Sequence, residues 1–186
     1  MTIVSAEEHY QLMSLITGDR PKQPVDGIFF HGRSFNRDDD GLFELVQELI
    51  AHNVSKNAIV INGGNGEGHI QGTRAWPGKD NYMERLRSLN CNVLVASPAA
   101  HTLEEGFVFS ELASQLGWKR AIVIAQPFQL PRIMMTHLYV MGERNHLMQL
   151  YAVAPTSVDW TKVTSCNQGV SGVARFDQIK MEFDRL

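Results

Sequence analysis

Val25–Ser34 reads VDGIFFHGRS, an apolar run that stops abruptly at a histidine, a glycine and polar residues. Two further stretches stop in the same way: Ala58–Gly64 (AIVINGG) and Arg120–Arg132 (RAIVIAQPFQLPR). Short continuous apolar runs, in place of alternating ones, are what strands show when both faces of their sheet are covered. In an open parallel sheet the stops fall at the carboxyl ends of the strands, where ligands bind. The pattern therefore locates a site before it says what the site does.

Outward from these runs, strands alternate with helical patterns. Residues 25–30 form the first predicted strand. Asp38–Asn53 predicts an amphipathic helix with Leu42, Leu45, Val46, Leu49 and Ile50 on one face. Asn57–Asn62 predicts the second strand, and residues 63–80 a long glycine-rich loop in which Arg74 and Trp76 suit a lid. Then follow a helix at 81–90, a strand at 91–97, a helix at 102–118, a strand at 120–125, a helix at 130–142 and a strand at 148–153. Residues 155–172 read as polar loop, and 173–186 as a helix with Phe176, Ile179 and Phe183 inward. Before the first strand, Ser5 and Glu8 form a capping box for a short helix. This alternation predicts the α/β class: a single domain over residues 1–186, a three-layer Rossmann-like sandwich with a parallel sheet of about five strands and helices on both faces.

Bulk properties agree with one packed domain. The chain has 186 residues, 44% apolar and 20% charged, enough for a core without disulfide or metal staples. A formal charge of −3 argues against a nucleic-acid partner. Cys91 and Cys166 make neither a disulfide framework nor a zinc motif, which fits a reducing, cytoplasmic setting. No basic-then-apolar leader and no apolar stretch of about 20 residues stands in the sequence, so no membrane partner is expected.

The loops after the predicted strands hold the candidate residues. Gly32 lets backbone approach a ligand or, more plainly, makes a tight turn at positive φ; Arg33 beside it suits a phosphate or carboxylate. Asp38, Asp39 and Asp40 need no metal, because carboxylates favour a helix start. Asn62, Gly63 and Gly64 suit a cradle for a polar ligand, although the loop matches neither the dinucleotide fingerprint nor the Walker A pattern. Thr102 and Glu105 form a T-x-x-E capping box, which leaves Glu104 for a ligand amine or ribose hydroxyl, or for general-base work. Pro131 suits a first helical turn, and Arg132 then stands against the helix dipole, a placement that suggests an anion. His31, His69 and His101 match no zinc spacing, and no metal is expected. There is no G-x-S-x-G elbow, and Cys91 precedes a strand at the far end of the sheet, a poor place for a nucleophile.

Four of these stretches, DGIFFHG, VINGG, HTLEEG and AQPFQLPR, stand in the order and spacing of the bacterial YdcF-like family, which includes SanA and ElyC, and over residues 25–155 the chain resembles it. The resemblance implies a Rossmann-like sandwich and, in the YdcF branch, binding of S-adenosylmethionine. It carries pocket roles onto Gly32, Gly63, Gly64, Thr102, Glu104 and Arg132. The chain departs from the family pattern at Asn62 (usually serine), Gly106 (usually alanine) and Gln129 (commonly histidine). Glutamine is neither acid nor base near neutral pH, so the chain is expected to bind without reacting if family chemistry needs that histidine. The envelope branch typically carries a membrane anchor, so the soluble branch is the closer analogy.

Two readings follow. One is a soluble protein that binds an anionic, nucleotide-like small molecule, with S-adenosylmethionine the candidate, through Gly32, Arg33, Asn62, Gly63, Gly64, Thr102, Glu104, Gln129 and Arg132. The alternative is a transferase or hydrolase of a phosphorylated or nucleotide-derived substrate, with Glu104 as base and Arg132 as anion clamp.

Overall fold

A computed structural model describes residues 20–32, 40–55, 58–66, 76–156, 161, 163–164, 173–175 and 177–178. The apolar runs become β1 (Gly27–His31), β2 (Ala58–Ile61), β3 (Asn92–Val95), β4 (Arg120–Ala125) and β5 (Gln149–Val153). They form one all-parallel sheet in the order β3-β2-β1-β4-β5. β1 lies at the centre: Ile28 is in register with Ile59 on one side and Ile122 on the other. At its amino end Asp26 accepts the N–H groups of Lys119 (2.8 Å) and Arg120 (3.0 Å), which fixes the start of β4. Gly27 is required there, since the Trp118 ring comes within 2.0 Å of where a Cβ would stand.

Four helices connect the strands: α1 (Asp40–Ala51), α2 (Lys79–Ser88), α3 (Thr102–Gln115) and α4 (Leu130–Arg144). Each ends at a left-handed residue, Asn53, Asn90, Gly117 and Asn145 respectively, where asparagine and glycine tolerate positive φ. The helices divide between the two sheet faces, as alternate strand residues dictate. Ile28, Phe30, Ile59, Ile61, Ile122, Ile124 and Val153 face Leu42, Leu45, Val46 and Leu49 of α1 and Tyr82 and Leu86 of α2. Phe29, Val60, Val123, Ala125 and Ala152 face Phe109 and Ala113 of α3 and Ile133 and Met141 of α4. Burying each large apolar side chain contributes about 1.5–3 kcal/mol, so both layers are strongly held. α3 and α4 touch closely at Gly106, where a Cβ would lie 3.1 Å from Thr136 and 3.2 Å from Val140.

Some expectations change. Trp76 is no lid residue: it is 4% exposed and packs on Tyr82 in the α1/α2 layer. The loop before it is closed at its stem by Trp76 N–H to Gly66 O (3.3 Å) and Lys79 N–H to Gly64 O (2.9 Å), and α2 already begins at Lys79. Within the region read as polar loop, β6 (Val163–Thr164) pairs antiparallel with β7 (Val173–Ala174). The last predicted helix therefore loses its first two residues to a strand; Arg175, Asp177 and Gln178 have helical backbone. The predicted helix near Ser5 and Glu8 lies outside the described residues, as do Phe176, Ile179 and Phe183. Among the described residues no helix is long and apolar enough to cross a membrane.

Candidate functional site

The sheet order has one reversal. After β1 the chain winds outward through β2 to β3; it then returns to the other side of β1 as β4 and continues to β5. In such sheets the crevice outside the carboxyl ends, at the reversal, is the place where ligands bind. Here the carboxyl ends of the strands lead into Gly32 after β1, whose last residue is His31, Asn62–Gly64 after β2, Ala96–His101 after β3 and Gln126–Gln129 after β4, the last running into Leu130–Arg132 of α4.

Asn62 organises the first wall. Its Oδ1 accepts the N–H of Gly64 (2.8 Å) and of Ala99 (3.1 Å), and its Nδ2 donates to Ala99 O (2.8 Å) and to Glu105 Oε1 (2.9 Å). One side chain thus ties the loop after β2 to the loop after β3. The glycines fit this packing. At Gly63 a Cβ would stand 2.1 Å from Ala96 O, so the two loops could not approach. Gly32 is not at positive φ, contrary to the tight-turn expectation; Phe30 and Tyr82 fill the space of its missing Cβ, at 2.3 and 2.9 Å.

Below the loops the polar contacts continue inward. Glu105 Oε2 lies 3.2 Å from His31 Nδ1, and His31 Nε2 lies 2.9 Å from His137 Nε2. Side chains of His31 and Glu105 are 1% and 2% exposed. Phe29 stacks on His137 with ring centroids 5.2 Å apart, and Phe109 lies 5.0 Å from the His31 ring. Burial, reinforced by the adjacent His31 and opposed by Glu105, holds the His137 pKa well below the usual histidine value, so His137 is neutral.

The start of α3 corrects the expected cap. His101, not Thr102, is the N-cap: its Nδ1 accepts the Glu104 N–H (3.2 Å), while Glu104 Oε2 accepts the Ala100 N–H (2.7 Å). The box is shifted by one residue, so Glu104 closes it and Glu105 is released to the interior. Thr102, inside the first turn, accepts a hydrogen bond at Oγ1 from Arg132 of α4 (2.7 Å). Pro131 occupies the first turn of α4, and Gln129 precedes it without a side-chain cap. The half-buried Arg132 therefore joins the amino ends of two helices, each of which adds partial positive charge.

Of the expected site residues, Gly32, Asn62, Gly63, Gly64, Thr102, Glu104, Gln129 and Arg132 all fall on the carboxyl-end loops or the helix starts they lead into. Arg33 lies outside the described residues, as do Asp38, Asp39, His69 and Arg74. The sequence reading did not assign Glu105 and His137 to this cluster. A signal for both exists: each interrupts an otherwise apolar helical stripe, Glu105 before Phe109 and Ala113, His137 among Ile133, Val140 and Met141. Among the described residues no group of three or more His, Cys, Asp or Glu is arranged to hold a metal ion. Comparison of the chain with protein-family models, with curated proteins and with solved structures returns no match.

Proposed function

We propose that this chain is a binding protein for an anionic, nucleotide-like small molecule, received at the reversal of the sheet where α3 and α4 begin. The observation that carries the reading is Arg132 held on Thr102 (2.7 Å), a fixed guanidinium at the meeting of two helix amino ends. Partial charge and full charge there have the same sign, and both favour an anion. S-adenosylmethionine is the first candidate, on the strength of the YdcF-like resemblance; although its sulfonium and ammonium groups make it a cation overall, its carboxylate is the anionic group that suits Arg132, and its ribose suits Glu104. The site needs no nucleic acid or membrane partner, and a cytoplasmic setting suits such a ligand.

Binding is preferred to turnover on one further observation. Both Glu104 carboxylate oxygens already have protein partners, Ala100 N–H at 2.7 Å and His101 Nε2 at 3.3 Å. A group so occupied suits orientation of a hydroxyl better than removal of its proton.

The test is a thermal-shift and calorimetric panel of S-adenosylmethionine, adenosine phosphates and sugar phosphates against wild type, Arg132→Lys and Arg132→Ala. A ligand at about 100 times its dissociation constant stabilises the fold by about 2.7 kcal/mol. Stabilisation of wild type, weakened in Arg132→Lys and absent in Arg132→Ala, supports the reading. A folded wild type that responds to none of them would sink it. Time-dependent turnover that disappears in Glu104→Gln while binding persists would instead favour the transferase or hydrolase.

A further inference from the structure

The helices do not all present the same kind of surface to solvent. α1 turns Glu44, Gln47 and Glu48 outward, and α2 turns Asn81, Glu84 and Arg87 outward, as helices on a protein surface do. α4 departs from this pattern. Before its last two residues, Glu143 and Arg144, its exposed positions are Met135 (56% exposed), Leu138 (52%), Tyr139 (56%) and Gly142. Their spacing is i, i+3, i+4 and i+7, so they form one stripe over two turns, and no charged side chain stands in it. Leu103 of α3, 41% exposed and one turn before the contact of Gly106 with α4, extends the stripe sideways. Single apolar side chains on a surface are ordinary, but a contiguous apolar stripe marks an interaction site.

Gly142 carries the argument further, because nothing in the single chain accounts for it. Its backbone is not left-handed, and no neighbouring part of the described chain comes within 4 Å of where a Cβ would stand. Glycine also weakens a helix relative to alanine. The stripe thus holds a long side chain, Met135, and an open seat, Gly142, seven residues apart on the same side.

We propose that this outer face of α4 is the contact by which two copies of the chain associate about a two-fold axis. A two-fold contact sets a surface against itself, so the surface must be self-complementary. The stripe is so in charge, since a charged residue near the axis would meet its like and there is none. It is so in shape as well. With the two α4 helices antiparallel and the axis passing between Leu138 and Tyr139, Met135 of each copy lies over Gly142 of the other, while Leu138 and Tyr139 pack around the axis. The association does not rest on the anion site, and either reading stands if the other falls.

The first test is sedimentation equilibrium of the full chain between about 1 μM and 1 mM, the range in which a small apolar contact shows its dissociation constant. The expected result is a monomer–dimer equilibrium that Leu138→Glu weakens at least about tenfold, because the new carboxylates meet beside the axis. Leu138 is half exposed in the single chain, so the variant is expected to keep the circular dichroism and the unfolding midpoint of wild type. Gly142→Gln separates the contact from the fold: it is expected to raise the unfolding midpoint of the dilute monomer, since glutamine favours helix and the space is open, and to weaken the dimer. The second test mixes Met135→Cys with Gly142→Cys under mild oxidation and identifies the cross-linked peptides by mass spectrometry. Disulfides joining position 135 to position 142 are expected; cross-links of position 135 to itself in their place overturn the antiparallel register. A wild type that stays monomeric at every concentration, whatever else is then found to bind this face, overturns the proposal. A dimer unchanged by Leu138→Glu does the same.

Discussion

The two faces of the sheet are built from alternate residues of the same five strands, yet they differ in kind. The layer under α1 and α2 is an apolar seal, with Ile28, Phe30, Ile59, Ile61, Ile122 and Ile124 against leucines, Tyr82 and Trp76. The layer under α3 and α4 begins with the same material, Phe29, Val60 and Val123, and then turns polar at its carboxyl end through His31, Glu105, Asn62 and His137. Apolar packing is non-directional and indifferent to pH. A buried hydrogen-bonded chain is directional and carries protons. The contrast teaches that a doubly wound sheet can assign stability to one face and site organisation to the other.

The sharpest way to break this contrast is to remove one residue from each face. Glu105→Ala strands Asn62 and His31 without their shared acceptor and is expected to cost about 3–5 kcal/mol in chemical denaturation. Leu42→Ala, at a position 0% exposed in the other layer, is expected to cost about 2–5 kcal/mol. Only the first is expected to change the shape of the stability–pH curve. Parallel curves for both variants and wild type would erase the distinction.

A smaller effect comes from His137 alone. Its folded pKa is depressed by burial, so at low pH the unfolded chain binds a proton that the folded chain refuses. The corresponding stability is complete above the unfolded pKa of about 6.5 and declines as pH falls below it, by at most about 1.4 kcal/mol per pH unit. His137→Phe, which keeps a ring against Phe29, is expected to flatten that decline, as read from denaturation midpoints between about pH 4 and pH 7. An unchanged slope would mean that His137 is protonated in the fold.

The smallest effect belongs to the apolar face. Cys91 packs against that layer, and burial raises its thiol to about 11. Near pH 8 roughly a thousandth of it is ionised. Iodoacetamide is therefore expected to label Cys91 in the native protein far more slowly than in the denatured chain, as followed by peptide mass spectrometry. Equal rates would show that the layer is open there.

These faces were unequally legible in the sequence. Every strand of the sheet and all four helices could be placed to within three residues, because continuous apolar runs and amphipathic stripes are local patterns. The loops that line the crevice followed from the same boundaries. The buried chain did not, because it joins residues 31, 62, 105 and 137, which no local pattern connects. The α3 start shows why. T-x-x-E at 102–105 and H-x-x-E at 101–104 are overlapping registers of one motif, and sequence alone prefers threonine as the cap. Tertiary contact decides otherwise, since Glu105 finds His31 and Asn62 in the interior while Glu104 can close the box at the surface. Trp76 misled for a related reason: its long loop suggested a lid, but a tryptophan buries its area wherever a partner such as Tyr82 stands ready.

The strand order also has a kinetic consequence. β1 is the central strand, yet its longest pairing, Gly27–His31 with Ala121–Ala125, is with a strand made much later in the chain. Contacts so distant in sequence form slowly, because a long loop must close before any of them is gained. Until then the Phe29 and Val60 surface of the first half lacks α3 and α4 to cover it, an aggregation hazard during refolding. The joint between β1 and β4 is also where the crevice lies, and the contacts of His31 with Glu105 and His137 span it. A spectroscopic signal from that histidine pair during refolding would thus time the docking of the two halves, and the crevice would come into being in that same step.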